Sequence, residues 1–89
     1  MVERSDEYII GRLIERSRLL IAISEEIPVE TKLQTQPLLK QLERALGVPA
    51  EEQDTARVRA TWAALYAELQ EYADLEALLS ALKNFVPYL

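Results

Sequence analysis

Four groups of side chains in this sequence are of types that could bind or react with another molecule. The first is Arg16, an arginine inside an apolar helical pattern, and the second is an aromatic set, Trp62, Tyr66 and Tyr72, of which the first two are four residues apart. The third is a run of carboxylates, Glu68, Glu71, Asp74 and Glu76, and the fourth is an apolar end, Phe85 with Val86, Tyr88 and Leu89. The 89 residues include no histidine and no cysteine. Imidazole bases, imidazole or thiolate metal ligands and disulfides are therefore excluded. We expect no catalytic, metal-binding or cofactor-binding residues.

The carboxylates are the one group here that could hold metal ions. The bundle form of a di-metal centre uses Glu-x-x-His motifs, which this sequence does not contain. Glu68, Glu71 and Glu76 also lie off the apolar stripe of their predicted helix, so we expect them to face solvent. An acidic docking surface for a basic partner is the alternative interpretation.

The elements that must position these groups are predicted to be helices. Apolar residues recur at spacings of three and four through most of the chain, and no strand-like alternation is present. We predict helices over residues 6–26, 37–46, 50–73 and 75–84 of a single domain spanning 1–89. The expected fold is all-α, a three- to four-helix bundle in which the long first helix packs antiparallel on a long C-terminal helix, either kinked or continuous.

Prolines, a glycine and two aspartates set the predicted helix ends. Pro28 ends the first helix, and Pro37 suits the first position of the second, so residues 29–36 are predicted to form a connector. Gly47 would end that helix in the left-handed conformation. Asp54 is an alternative N-cap for the third helix, and a break is expected near Asp74, although one helix running to about 84 stays possible.

The surroundings of Arg16, "DEYIIGRLIERSRLLIAI", resemble the first helix of the helical chorismate mutases, a family of intertwined all-helical dimers. By that resemblance Arg16 would bind the carboxylates of the substrate, for which a guanidinium fork is suited. This sequence departs from the family's motif at Ile27, where the family has a lysine, and at "TQPLLKQLER", where it has a basic and acidic cluster. A divergent enzyme of this kind, using Arg16, is one alternative function.

The segment "LLKQLERALGVPAEEQDTARVRATW", residues 38–62, resembles a helix-turn-helix. A recognition helix of such a module begins with basic and polar residues that enter the major groove of DNA. Here the corresponding start carries Glu51, Glu52 and Asp54, which would repel phosphates. A transcriptional regulator is the second alternative, and a structural helix corner is the preferred interpretation.

Composition favours a different class of function. The net charge is −5, and residues 50–89 carry seven acidic but three basic residues, which argues against nucleic acid and anionic lipid as partners. The start of the sequence lacks the layout of a signal peptide, and no run is apolar enough to span a membrane, so we expect a cytoplasmic protein.

Apolar residues make up 49% of this short chain, and the first helix is apolar over more than one stripe, since Ile9, Leu19 and Ile23 lie beside or off its main face. We expect contact with another subunit to cover these three residues, because a chain this short forms only a marginal core by itself. We therefore predict a non-catalytic protein–protein interaction module that forms a homodimer or a heteromeric complex. The predicted partner-binding residues are Ile9, Ile23, Trp62, Tyr66 and Phe85.

Overall fold

Four α-helices that pack against each other make up the fold. The computed structural model describes the backbone of residues 4–86 and the side chains of residues 6–49 and 51–86. The helices are α1 (Arg4–Ile23), α2 (Val29–Leu46), α3 (Thr55–Leu69) and α4 (Glu76–Lys83), with 3-10 turns at Ala50–Glu52 and Ala73–Leu75. No strand occurs in this part of the chain, and the predicted all-α bundle is confirmed. No helix within it is long and apolar enough to cross a bilayer.

The first two helices form an antiparallel hairpin joined by polar contacts. The Nε of Arg18 donates to Gln36 Oε1, and Gln36 Nε2 donates back to the carbonyl oxygen of Arg18, both at 3.1 Å. Nearer the connecting loop, Lys32 Nζ donates to the carbonyl oxygen of Ala22 at 3.0 Å. This last contact satisfies a backbone acceptor in the final turn of α1, which has no partner inside the helix.

The second helix is longer than the sequence predicts, so the connector assigned to residues 29–36 is wrong. Helix α2 begins at Val29, directly after Pro28, and continues through Pro37. A proline inside a helix removes one backbone hydrogen bond, here the one that would reach the carbonyl of Leu33. The side chain of Leu33 is 71% exposed, so water can reach this part of the helix.

Several predicted helix ends also shift. Helix α1 ends at Ile23 rather than at 26, and the hydroxyl of Ser24 accepts from the backbone N–H of Glu26 at 3.2 Å. Gly47 ends α2 with φ −78° rather than in the left-handed region, because its N–H bonds to the carbonyl of Arg44 three residues back. The tighter turn at Gly47 ends α2 without the left-handed conformation that the sequence predicts.

The third and fourth helices are separate, as the predicted break requires. Helix α3 starts at Thr55 rather than at 50, and Asp54 is its N-cap: the carboxylate accepts from the backbone N–H of Arg57 at 3.1 Å. The helix ends at Leu69 rather than at 73, and the chain turns at 70–72 before α4. One continuous helix to 84 is therefore excluded.

The core lies between the helices and is filled mainly by aliphatic side chains. Helix α2 packs against both α1 and α3, and α1 also packs against α4, the last part of the broken C-terminal segment. Two buried hydroxyls bond within their own helices, since Ser17 donates to the carbonyl of Leu13 and Thr35 to that of Thr31, both at 2.8 Å. The side chains less than 2% exposed include Ile14, Ile21, Leu39, Leu42, Leu46, Val58, Leu65, Leu69 and Leu82.

Candidate partner-binding surface

The largest exposed apolar side chains near the connecting loop lie on the α1–α2 hairpin. Leu19 and Ile23 are one turn apart on α1, and Val29 and Leu33 are one turn apart on α2. Their exposed fractions run from 57% for Leu19 to 73% for Ile23. We call these four residues the hairpin patch.

Hydrogen bonds join the two helices that carry the hairpin patch. Leu19 directly follows Arg18, which bonds to Gln36, and Leu33 directly follows Lys32, which bonds to the last turn of α1. Leu19, Arg18 and Gln36 also line one surface depression. The two helices that carry the hairpin patch are therefore bonded to each other, and a surface built on bonded helices has less backbone freedom to lose on binding than a loop has.

A second exposed part of α1 continues from the hairpin patch toward the start of the helix. Tyr8 is 67% exposed and Ile9 is 43% exposed. The charged side chains of Arg12, Glu15 and Arg16 lie exposed between these residues and Leu19. The guanidinium carbon of Arg12 is 6.0 Å from the centre of the Tyr8 ring, at the outer limit of a cation–π contact.

Arg16, the candidate anion ligand of the chorismate-mutase resemblance, is solvent-exposed on this surface. The nearest lysine along the chain, Lys32, uses its ammonium group to bond the carbonyl of Ala22. Ile27, at the family's lysine position, is buried in the core. Among the described residues, Arg16 therefore lies open to solvent on α1 and is not enclosed in a site.

The five predicted partner-binding residues occupy different environments. Ile9 and Ile23 are exposed on α1, and Tyr66 is 46% exposed on α3. Trp62 is 4% exposed, and Phe85 is half-buried and packs against the core. Only a small part of Trp62 is therefore accessible to a partner, whereas Ile9 and Ile23 are available to one.

Trp62 and Tyr66 do contact each other, with ring centroids 5.9 Å apart and planes tilted by 34°. They line a depression between α3 and α4 together with polar and charged side chains, including Glu76 and Lys83. This lining presents the aromatic pair and charged side chains of both signs. A lining so mixed does not favour one class of ligand.

The apolar end of the chain folds back as far as it is described. Val86 is 7% exposed and belongs to the core, and Phe85 packs beside it. Tyr88 and Leu89 lie outside the described residues.

The acidic side chains near the α3–α4 turn perturb a neighbouring tyrosine. The pKa of Tyr72 is raised above its ordinary value of 10.0, first by burial and then by the negative charges of Glu71, Glu68 and Glu26. Glu71 and Glu76 are exposed, as expected, and Asp74 is exposed as well, but Glu68 is half-buried. Within the part of the chain that the structure describes, no group of three or more carboxylates is placed to hold a metal ion.

Sequence reasoning missed half of the hairpin patch. Val29 and Leu33 fall in the segment predicted to be a connector, where isolated apolar residues carry no pattern. Once residues 29–36 are known to be helical, the spacing of four between Val29 and Leu33 places both on one side of α2.

Comparisons of this chain with protein-family models, with curated proteins and with solved structures find no match.

Proposed function

We propose that this chain is a non-catalytic protein–protein interaction module that binds its partner, a different protein or a second copy, through the outer face of the α1–α2 hairpin. One observation carries the proposal: four large aliphatic side chains, each more than half exposed, sit on two adjacent helices that hydrogen bonds hold together. Exposed apolar side chains that are grouped on one part of a folded protein mark interaction sites.

The chemistry of the chain supports binding rather than catalysis. Without histidine or cysteine, acid–base catalysis near neutral pH would need carboxylates, lysines or tyrosines with shifted pKa values in an enclosed site. Tyr72 has a raised pKa, which makes its phenol a weaker acid and its phenolate less available. A small complex subunit, adaptor or assembly chaperone fits these properties.

Charge supports a protein partner rather than a nucleic acid. The net charge of −5 repels phosphate backbones at long range. The start of α3, the position of a recognition helix in the helix-turn-helix interpretation, is capped by Asp54 and preceded by Glu51 and Glu52. We propose the cytoplasm as its compartment, since nothing in a cysteine-free sequence calls for an oxidising one.

Affinity capture with matched surface variants tests the proposal. The wild-type chain, immobilised and exposed to lysate of its own source, should retain one or more proteins. Leu33→Lys places a charge in the hairpin patch and should abolish retention, whereas Ala63→Lys, which adds the same charge at an exposed position of α3, should retain the same proteins. Equal retention by the Leu33→Lys variant and the wild type would contradict the proposal, as would a wild-type chain that is monomeric and retains nothing.

A further inference from the structure

The exposed side of α1 carries a stripe whose charges can pair with those of a second, antiparallel copy. The stripe consists of Tyr8, Arg12, Glu15 and Leu19, at spacings of four, three and four residues, which keep them in one line along a helix. All four are exposed, and the buried residues Ile10, Ile14, Ser17 and Ile21 occupy the opposite side of α1. We call these four exposed residues the α1 stripe.

We propose that the α1 stripe is a homodimer interface, in which α1 of one copy packs antiparallel on α1 of the other. This inference rests on the proposed function and names its partner as a second copy of the chain. In an antiparallel helix pair, facing residues have numbers with a constant sum. Placing Arg12 opposite Glu15 of the second copy therefore also places Tyr8 opposite Leu19, and the two-fold symmetry repeats both pairs.

The resulting order of layers is Tyr–Leu, Arg–Glu, Glu–Arg, Leu–Tyr. Each central layer joins opposite charges, and each outer layer joins an aromatic ring to a leucine. A parallel arrangement would instead place Arg12 against Arg12 and Glu15 against Glu15, which is repulsive. Charged residues inside such a seam set orientation and register more than they add affinity, so the affinity would come from Tyr8 and Leu19.

Neighbouring residues extend the apolar part of this interface. Ile9 and Arg16 flank the α1 stripe on one side, where the aliphatic stem of Arg16 can cover Ile9 of the second copy. Val29 and Leu33 lie exposed on α2, the helix bonded to α1 through Arg18, and they widen the apolar surface beyond the stripe. The net charge of −5 per copy opposes association, but salt at physiological strength screens it beyond about 8 Å.

Charge exchange tests the pairing. In sedimentation equilibrium the wild type should show a reversible dimer. Arg12→Glu and Glu15→Arg should each raise the dissociation constant of this dimer by more than about tenfold, since each puts like charges in both central layers. An equimolar mixture of the two variants should dimerise again, because the two carboxylates of the Arg12→Glu chain then face the two guanidinium groups of the Glu15→Arg chain. The matched control Arg59→Glu, at an exposed position of α3, should dimerise like the wild type.

Disulfide trapping gives a second readout that does not depend on charge. The chain has no cysteine, so Tyr8→Cys and Leu19→Cys each introduce a single thiol. Under mild oxidation, a mixture of the two variants should form cross-linked dimers faster than either variant alone. A parallel pair would cross-link each variant with itself instead.

Three results would overturn the homodimer. They are a wild type that stays monomeric up to about millimolar concentration, single charge variants that dimerise like the wild type, and a mixture of variants that stays monomeric while circular dichroism shows intact helices. A monomeric wild type that still retains a protein through Leu33 would overturn the homodimer and leave the proposed function standing. A Leu33→Lys variant that keeps both the dimer and the retained proteins would contradict the hairpin patch as the binding surface, and the charge exchange would then test the α1 stripe by itself.

Discussion

Replacing Gln34 by glycine should destabilise the protein by about 1 kcal/mol relative to replacing it by alanine. Gln34 is exposed in the segment of α2 that the sequence alone predicts to be a connector. At an exposed helical position the two small residues differ mainly in backbone entropy and in solvation of the helix, both of which favour alanine. In a flexible connector the same pair would differ by far less.

The size of the effect makes it easy to measure. For a domain of this length, 1 kcal/mol corresponds to a change in Tm of about 4–8 °C. Urea denaturation followed by circular dichroism, at one fixed protein concentration, gives the same difference from the midpoints. The matched pair at Ala63 in α3, wild type against Ala63→Gly, calibrates the measurement because this position is exposed and helical. A Gln34 difference below about one third of the Ala63 difference would refute a helix that begins at Val29.

Three further predictions concern the hairpin, the core and the acidic turn. Gly11→Ala should raise the free energy of unfolding by about 0.5–1 kcal/mol in urea denaturation, because the added Cβ would lie 3.8 Å from its nearest neighbour, the flexible carboxylate oxygen of Glu43. A loss of stability would mean that α1 and α2 lie closer than described. Leu42→Ala, at a position with no exposed surface, should cost about 2–5 kcal/mol in the same assay, and a cost below about 1 kcal/mol would place Leu42 outside the core. The absorbance of Tyr72, taken as the difference from Tyr72→Phe, should titrate above pH 10, and Glu71→Gln should lower that pKa. Since the pKa is raised in the folded state, the stability linked to this phenol is present below pH 10 and falls as the pH rises above it; an unchanged pKa in the Glu71→Gln variant would remove that carboxylate as a cause.

The sequence predicts most of the fold because most of the core follows a simple helical period. Leu39, Leu42 and Leu46 lie where their spacing places them, and Asp54 caps α3 as its side chain allows. The break after α3 is also predicted, although the turn comes a few residues before Asp74.

The first half of α2 could not be predicted in this way because its core position is polar. Thr35 continues the buried stripe of Leu39 and Leu42, yet a threonine does not register as a core residue in a hydrophobic pattern. Its hydroxyl is buried at no cost in hydrogen bonding, since it donates to the carbonyl of Thr31 within the same helix. Because proline is favoured at the first position of a helix, Pro37 also predicts a helix start at 37, which is wrong.

The helical pattern of apolar residues also predicts part of the candidate surface. Ile9 and Ile23 are off the main apolar stripe of α1, and they are exposed in the structure as that pattern indicates. The aromatic spacing of Trp62 and Tyr66 fits a core position or a contact equally well, and tertiary packing decides it. Trp62 is buried, and Tyr66 stays partly open.

The order in which the helices pack has a consequence for how the chain folds and opens. The pairs α1–α2 and α2–α3 join helices that are neighbours along the chain, so their contacts form after short loop closures and favour rapid folding. Docking of α4 on α1 joins the two ends of the described chain, and its closure entropy is smaller after the inner helices are in place. At eight residues, α4 is also too short to be stable alone. Release of α4 therefore breaks fewer contacts between helices than release of any other helix, and it uncovers side chains of α1 on the face opposite to the α1 stripe.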